Sequence, residues 1–123
     1  ETPLIVACKN GNESIVKCLI ELGADINKEN WYHKTSLMIA CENENENIVK
    51  YLIEHGADID KENKQGETPL MVACESGYKN RVSYIIEHGA DVNKENELGR
   101  TAMFNACESG NEDIVKYLTE LGA

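Results

Sequence analysis

A period of 33 residues runs through the whole chain of 123 residues. Three positions mark it most clearly: a threonine, an alanine five residues later, and a cysteine directly after the alanine. The marked residues are Thr2, Thr35, Thr68 and Thr101; Ala7, Ala40, Ala73 and Ala106; and Cys8, Cys41, Cys74 and Cys107. The tripeptides Gly-Ala-Asp and Lys-Glu-Asn recur at the same spacing. A fixed period of this length indicates a stacked array of repeats.

Each repeat is predicted to contain two short helices and a turn. Thr2 followed by Pro3 is typical of a helix start, because a threonine hydroxyl caps early backbone N–H groups and proline suits the first helical position. Apolar residues at i, i+3 and i+4 form one face of this first helix, and Gly11 ends it. A second apolar helix follows, and residues 25–34 are expected to form an extended turn. Helices this short cannot bury their apolar faces alone, so neighbouring repeats must stack.

These features resemble the ankyrin-repeat family over essentially the whole chain. The resemblance is carried by Thr-Pro-Leu at 2–4 and 68–70, by its weaker forms at 35–37 and 101–103, and by the recurring Gly-Ala-Asp. The histidine that usually follows Thr-Pro-Leu in the family is replaced by apolar residues. The resemblance implies an all-α ankyrin-repeat solenoid of helix-turn-helix units joined by β-turn or hairpin-like loops. It predicts one domain over residues 1–123, with repeats at approximately 1–30, 31–63, 64–96 and 97–123, the first and last incomplete.

The charge of the chain narrows the class of partner. Acidic residues outnumber basic ones 22 to 12, which gives a net charge of −10. This charge repels a polyphosphate and an anionic membrane surface, so neither a nucleic acid nor a membrane is expected as a partner. No apolar run approaches the roughly 18 residues of a membrane-spanning helix. The five cysteines are an odd number, which favours free thiols over disulfides. We expect a monomer. Its expected compartment is the cytoplasm, with the nucleus as the alternative.

Neither a metal site nor a catalytic site is predicted. Equivalent cysteines of stacked helices lie about 8–10 Å apart, too far for a disulfide, and the chain contains no Cys-x-x-Cys motif. The recurring cysteines lie on the apolar face of their helices, so all four are expected to be buried and only Cys18 remains a candidate reactive thiol. The sequence has no phosphate-binding loop and no nucleophile–base spacing. We therefore expect no cofactor, no metal and no enzyme activity.

Departures from the repeat are concentrated at a few positions. In the second repeat, His33 and Glu44 stand where other repeats have glycine. In the fourth repeat, Asn105 and Thr119 replace apolar residues, as expected of a terminal cap that faces water; the alternative makes Asn105 a hydrogen-bonded core residue of a longer array. The first repeat shows no such polar change and begins without its leading turn, so further repeats, or an absent cap, are expected to precede it. Arg81 replaces an isoleucine and is expected to lay its stem along the surface with its charge in water, with a specific anion contact as the alternative.

The resemblance implies a protein–protein interaction module that binds its partner through a concave face formed by the turn tips and the first helices. Trp31 and Tyr32 on the second tip are hot-spot candidates. The alternative is that Trp31 folds back onto the first repeat. Of the two aromatic residues, Tyr32 is the one expected to be exposed. The predicted partner-binding residues are Trp31, Tyr32, Lys34, Gln65, Glu67, Leu98 and Arg100 on the tips, and Glu42, Asn43, Glu75, Ser76, Glu108 and Ser109 on the first helices.

Two rows of glutamates border this face. They are Glu42, Glu75 and Glu108 at the ends of the first helices, and Glu29, Glu62 and Glu95 beside the turns. A negative face would steer a basic partner toward it, although aligned glutamates can also serve only as a solvated surface. The expected partner is a protein segment of basic or mixed charge with an apolar anchor for Tyr32 or Trp31.

Two hypotheses of other classes stay open. One is a structural or engineered repeat scaffold fragment without a cognate partner; the differences between the turn tips argue against it. The other is a modification substrate, since Asn27 and Asn93 are similar to asparagines that are hydroxylated in some ankyrin proteins.

Overall fold

The computed structural model describes residues 2–123, which form eight α-helices in four consecutive pairs. The helices are α1 (Pro3–Asn10), α2 (Glu13–Glu21), α3 (Ser36–Glu42), α4 (Glu46–Glu54), α5 (Pro69–Ser76), α6 (Lys79–Glu87), α7 (Ala102–Ser109) and α8 (Glu112–Glu120). Within the described residues no segment forms a β-strand. The predicted all-α architecture of repeated helix pairs is confirmed.

The helix starts follow the predicted capping chemistry. The hydroxyls of Thr2, Thr35 and Thr68 accept hydrogen bonds from the backbone N–H three residues later, at 3.1, 3.4 and 3.4 Å. An asparagine does the same at the start of α2, α4 and α8. α6 instead begins after Tyr78, and among the described residues no side chain caps it. The third repeat therefore departs from the others at this position.

Stacking of the first helices forms the core. α1, α3, α5 and α7 pack against one another in order, and the second helices form a parallel outer row with fewer contacts. Apolar residues of the interior repeats are covered on both sides. The equivalent side chains of the two terminal repeats are covered on one side only, so Val6 and Ile15 are exposed on the first repeat and Phe104 on the last.

This geometry corrects the prediction for the cysteines. Cys8, Cys41 and Cys74 are buried, but Cys107 is exposed because no described repeat packs beyond α7. Burial raises the pKa of Cys8 to about 11 and the pKa of Cys41 and Cys74 to about 12. Cys18 is therefore joined by a second accessible thiol, and three thiols rather than four are buried.

The prediction that Asn105 and Thr119 face water is confirmed for Thr119 and wrong for Asn105. Thr119 is exposed and its hydroxyl donates to the Val115 carbonyl at 2.8 Å, as suits a surface that faces water. Asn105 is only 7% exposed, because its position faces the preceding repeat rather than the end of the array. Among the described residues nothing donates to its Oδ1.

The turn tips are shaped by the asparagine of each Lys-Glu-Asn. In the third repeat, the Asn63 Oδ1 accepts from the N–H groups of Gln65 and Glu67, both at 3.0 Å. Asn30 and Asn96 do the same in the neighbouring tips. Adjacent tips are joined by backbone hydrogen bonds, from Lys64 N–H to the Tyr32 carbonyl at 3.1 Å and from Glu97 N–H to the Gln65 carbonyl at 3.0 Å. The tips are thus hairpin-like, as predicted.

The junction between the second and third repeats is built differently from its neighbours. α3 has seven residues rather than eight, and Asn43 leaves it in an extended conformation, so the chain avoids the left-handed conformation that Gly11 adopts at φ 67°. Arg81 Nη1 donates to the carbonyl oxygens of Cys41, at 3.0 Å, and Asn43. Arg81 is 1% exposed, so the prediction that its charge lies in water was wrong. Burial lowers the pKa of its guanidinium.

Candidate functional site

The turn tips and the ends of the first helices form one surface, which we call the tip surface. It comprises residues 31–34, 64–67 and 97–100 together with the C-terminal ends of α3, α5 and α7. The first cleft on it lies between the second and third repeats and the second cleft between the third and fourth. A further cleft of about 520 Å³ lies beside Trp31, His33 and Lys64. All thirteen predicted partner-binding residues belong to this surface, and their role in binding stays a prediction.

Large apolar side chains stand in solvent on the tips. Trp31 is 82% exposed, so it does not fold back onto the first repeat, and Tyr32 is exposed as well at 62%. Leu98 on the fourth tip is 70% exposed. Lys64 Nζ lies 5.9 Å from the centre of the Tyr32 ring, so a cation already borders this aromatic group. The exposed groups lie on tips that hydrogen bonds hold in place.

The first cleft has a volume of about 340 Å³ and carries its own cation. Lys34 Nζ forms an ion pair with Glu42 Oε1 at 2.9 Å. Glu67, Glu75 and the buried Val72 also line this cleft. Glu42 and Glu75, two of the predicted binding residues, thus both lie near the positive charge of Lys34.

The second cleft, of about 250 Å³, is more strongly acidic. Its charged lining consists of Glu67, Glu75, Glu97, Glu108 and Arg100. The Arg100 guanidinium lies over the Phe104 ring, with 4.3 Å between its central carbon and the ring centre. Desolvation raises the pKa of Glu75, and the charges of Glu67, Glu108 and Glu42 raise it further. The carboxylates of this region therefore repel one another.

Two predicted binding residues already hold the repeats together. The Asn43 side-chain amide donates to the Cys8 carbonyl at 2.9 Å. The Ser109 hydroxyl donates to the Cys74 carbonyl at 3.2 Å. Each bond satisfies a carbonyl at the end of the preceding first helix, which an isolated helix leaves unpaired. Ser76, the equivalent residue of the third repeat, is exposed, and Arg81 donates to the corresponding Cys41 carbonyl.

The expectation of a second negative row is corrected at two of its three positions. Glu29 pairs with Lys61 at 3.0 Å, and Glu62 pairs with Lys94 at 3.1 Å. The cause is the recurring Lys-Glu-Asn, which places the lysine of each repeat beside the glutamate of the repeat before it. Hydrogen bonding to Glu29 and its charge raise the pKa of Lys61. The negative potential of the tip surface therefore comes from the first helices and the tip glutamates.

The asparagines considered as modification sites differ in their surroundings. Asn27 is half-buried; its Oδ1 accepts from Asp58 N–H at 2.7 Å and its Nδ2 donates to the Gly56 carbonyl at 3.3 Å. Asn93 is exposed, and its backbone N–H donates to Asp91. Asn27 thus links the first turn to the end of α4.

No three His, Cys, Asp or Glu residues within residues 2–123 lie together in a way that could hold a metal ion. None of the helices described above has the length and apolar character needed to cross a membrane.

Sequence reasoning missed two contributors to the surface. The tip asparagines, such as Asn63, belong to a repeated tripeptide, and their period is the signal that each shapes a turn. Asn105 departs from the apolar pattern of its position, but its place on the wall of the second cleft follows only from the stacking of α7 on α5.

A family model described as ankyrin repeats, in 3 copies, matches residues 1–63 and 56–123, which together cover the chain. A search of curated proteins found no match.

Proposed function

The chain belongs to the ankyrin-repeat family, and from this premise we propose that it is a non-catalytic interaction module that binds a protein segment on the tip surface. Members of the family are generally protein–protein interaction modules and are typically not enzymes. The observation that carries the proposal is the exposure of Trp31, Tyr32 and Leu98 on tips whose backbones are fixed by hydrogen bonds. Exposed aromatic side chains on a rigid support bind with little further loss of entropy.

The proposed partner is a segment of basic or mixed charge. Its apolar anchor would pack on Trp31 or Tyr32, and its positive charges would face the clefts that contain Glu42, Glu67 and Glu75. Negative potential of this kind increases the rate of encounter with a basic partner more than it increases affinity. We further propose that the module acts as a monomer inside the cell, which agrees with its five free cysteines.

A capture experiment with matched variants tests the proposal. The variant Trp31→Ala/Tyr32→Ala removes the two exposed aromatic groups of the second tip. The control variant Leu22→Ala/Leu121→Ala removes two exposed apolar groups at the ends of α2 and α8, away from the tips. We expect the wild type and the control to retain the same proteins from a cell extract and the tip variant to lose them.

If the tip variant and the wild type retain identical proteins, binding through this tip is rejected. The alternative, a repeat scaffold fragment without a cognate partner, predicts that all three proteins retain the same background set. The sequence differences between the tips, Trp-Tyr-His-Lys against Lys-Gln-Gly-Glu and Glu-Leu-Gly-Arg, favour a dedicated binding surface over that alternative.

A further inference from the structure

The cleft of about 520 Å³ beside Trp31 is lined by more cations than anions, although the chain as a whole has a net charge of −10. Lys28, Lys64 and Glu29 line it together with His33 and the exposed indole. Within the part of the chain that the structure describes, neither lysine forms an ion pair. A positive site therefore lies beside the most exposed aromatic side chain of the tips.

The carboxylate that lines this cleft is already held by other groups. Glu29 Oε2 lies 3.0 Å from Lys61 Nζ, and Glu29 Oε1 lies 3.8 Å from His33 Nδ1. Lys64 Nζ lies over the Tyr32 ring, 5.9 Å from its centre, so it borders an aromatic group instead of a carboxylate. Neither lysine of the lining is therefore neutralised by a described residue.

The lysine of each Lys-Glu-Asn shows which ligand its position binds. Lys61 pairs with the carboxylate of Glu29 at 3.0 Å, and Lys94 pairs with that of Glu62 at 3.1 Å. Lys28 occupies the same place in the first repeat, 33 positions before Lys61. Since this position holds a carboxylate in both other repeats that have it, a carboxylate is the ligand indicated for Lys28.

The cleft also offers an apolar contact that the other two ion pairs lack. Trp31 is 82% exposed, whereas the equivalent residues of the following tips are Lys64 and Glu97. A carboxylate alone would leave the indole uncovered, so the ligand that fits the whole cleft combines a carboxylate with apolar surface. Tryptophan is among the residues that contribute most to protein–protein binding, which favours a protein segment as the source of both groups.

We propose that the cleft beside Trp31 binds an aspartate or glutamate side chain of the protein partner, next to the apolar anchor of the bound segment. The carboxylate pairs with Lys28 as Glu29 pairs with Lys61, and Lys64 adds a second positive charge. The segment is then of mixed charge, with an acidic residue at the second tip and basic residues toward the acidic clefts. The proposal rests on the proposed function, because the carboxylate belongs to the bound segment.

The fluorescence of Trp31, the one tryptophan of the chain, reports directly on this cleft. The probe is Nα-acetyl-leucyl-glutamate amide, which carries an apolar group beside a carboxylate. Nα-acetyl-leucyl-glutamine amide is the neutral control, and inorganic phosphate is the anion without an apolar group. We expect a saturable change with the glutamate probe that weakens as sodium chloride is added, and at least threefold weaker binding of both controls.

Two variants make the test specific. Lys28→Gln removes one exposed ammonium group, so it is expected to fold normally and to bind the glutamate probe about threefold more weakly, the loss suited to one exposed ion pair. Its binding of the glutamine probe is expected to be unchanged. Lys116→Gln removes the same charge from the exposed side of α8 and is expected to leave the binding of both probes unaltered.

Four results would overturn the proposal. They are equal binding of the two dipeptides, equal binding of phosphate, unaltered affinity in Lys28→Gln, and a fluorescence change when the chain is concentrated without a probe, which would assign the carboxylate to a second copy. The proposed function is judged separately by the capture experiment with the tip variant. Tip-dependent retention of partners without carboxylate-specific probe binding rejects the carboxylate site alone, whereas specific probe binding without any retained partner rejects the proposed function alone.

Discussion

At the scale of single residues, the environment of a repeated position matters as much as its identity. The cysteine that follows the recurring alanine occurs four times. Cys8, Cys41 and Cys74 are buried, whereas Cys107 is exposed. Because the thiolate is the reactive form, a buried thiol with a raised pKa reacts slowly until the protein opens. One residue type at one repeat position thus has two chemical behaviours.

This difference predicts the outcome of thiol labelling. In the native protein at pH 8, we expect a disulfide reagent to modify Cys18 and Cys107 rapidly and the remaining three thiols only slowly. All five should react at once in denaturant. Peptide mapping by mass spectrometry identifies the modified sites. Rapid native labelling of Cys41, whose pKa burial raises to about 12, would contradict the described packing.

His33 is a second residue whose conformation predicts a measurable effect. It adopts φ 58°, a left-handed conformation that is unfavourable for a residue with a Cβ, and glycine stands at the equivalent positions 66 and 99. We expect His33→Gly to raise the free energy of unfolding by about 1 kcal/mol, the lower end of the cost of a left-handed residue with a Cβ. The matched control is Gly66→His, which should destabilise the protein, because a Cβ there would lie 3.0 Å from Glu97 N. Urea denaturation measures both; a loss of stability in His33→Gly would contradict the argument.

At the scale of helices, the junction of the second and third repeats depends on three linked substitutions. Glu44 replaces a helix-ending glycine, Tyr78 replaces a capping asparagine, and Arg81 replaces an isoleucine. The Arg81 guanidinium lies 4.3 Å from the centre of the Tyr78 ring and binds carbonyls at the end of α3. Each of these substitutions alone removes a contact that the other repeats have. Together they provide the bonds from Arg81 to the carbonyls at the end of α3.

The linkage predicts strong coupling between these positions. Arg81→Ile alone leaves the Cys41 and Asn43 carbonyls without their donor and should cost about 1–3 kcal/mol of stability. In a Glu44→Gly/Tyr78→Asn background, which restores the pattern of the other repeats, the same substitution should cost much less. Urea unfolding of all four combinations gives the coupling energy. Additive effects would show that Arg81 acts independently of Glu44 and Tyr78.

The same junction shows what the sequence could and could not predict. Period, helix starts and apolar rows depend on local spacing, so the repeated helix pairs and hairpin-like tips were predictable. Burial of Arg81 was not, because it depends on how α3 ends 40 residues earlier. For the tip surface, the place of the aromatics on a tip and the first row of glutamates were predictable by their phase, whereas the exposure of Trp31 was not. The ion pairs of Glu29 and Glu62 and the burial of Asn105 follow only from contacts between neighbouring repeats.

At the scale of the whole molecule, the net charge of −10 is distributed unevenly. Ion pairs neutralise Glu29 and Glu62, whereas burial, and after it the charges of Glu67, Glu108 and Glu42, raise the pKa of Glu75. Self-repulsion of like charges destabilises a folded protein, and the unfolded chain relieves it. The acidic surface that would attract a partner is therefore expected to reduce the stability of the free protein.

This destabilisation by the acidic surface predicts how the free energy of unfolding changes with pH. Since the pKa of Glu75 is higher in the folded than in the unfolded chain, the folded state binds its proton more tightly, and the ionised form destabilises the fold at neutral pH. Lowering the pH through the raised pKa removes this destabilisation. Glu75→Gln should therefore raise the free energy of unfolding at pH 7 by about 0.5 kcal/mol, a value suited to a partly exposed charge, and should lose that advantage near pH 4. Urea denaturation at both pH values measures the difference, with Glu87→Gln as the control outside the cluster. An advantage of Glu75→Gln that is equal at the two pH values would show that the ionisation of Glu75 does not limit stability.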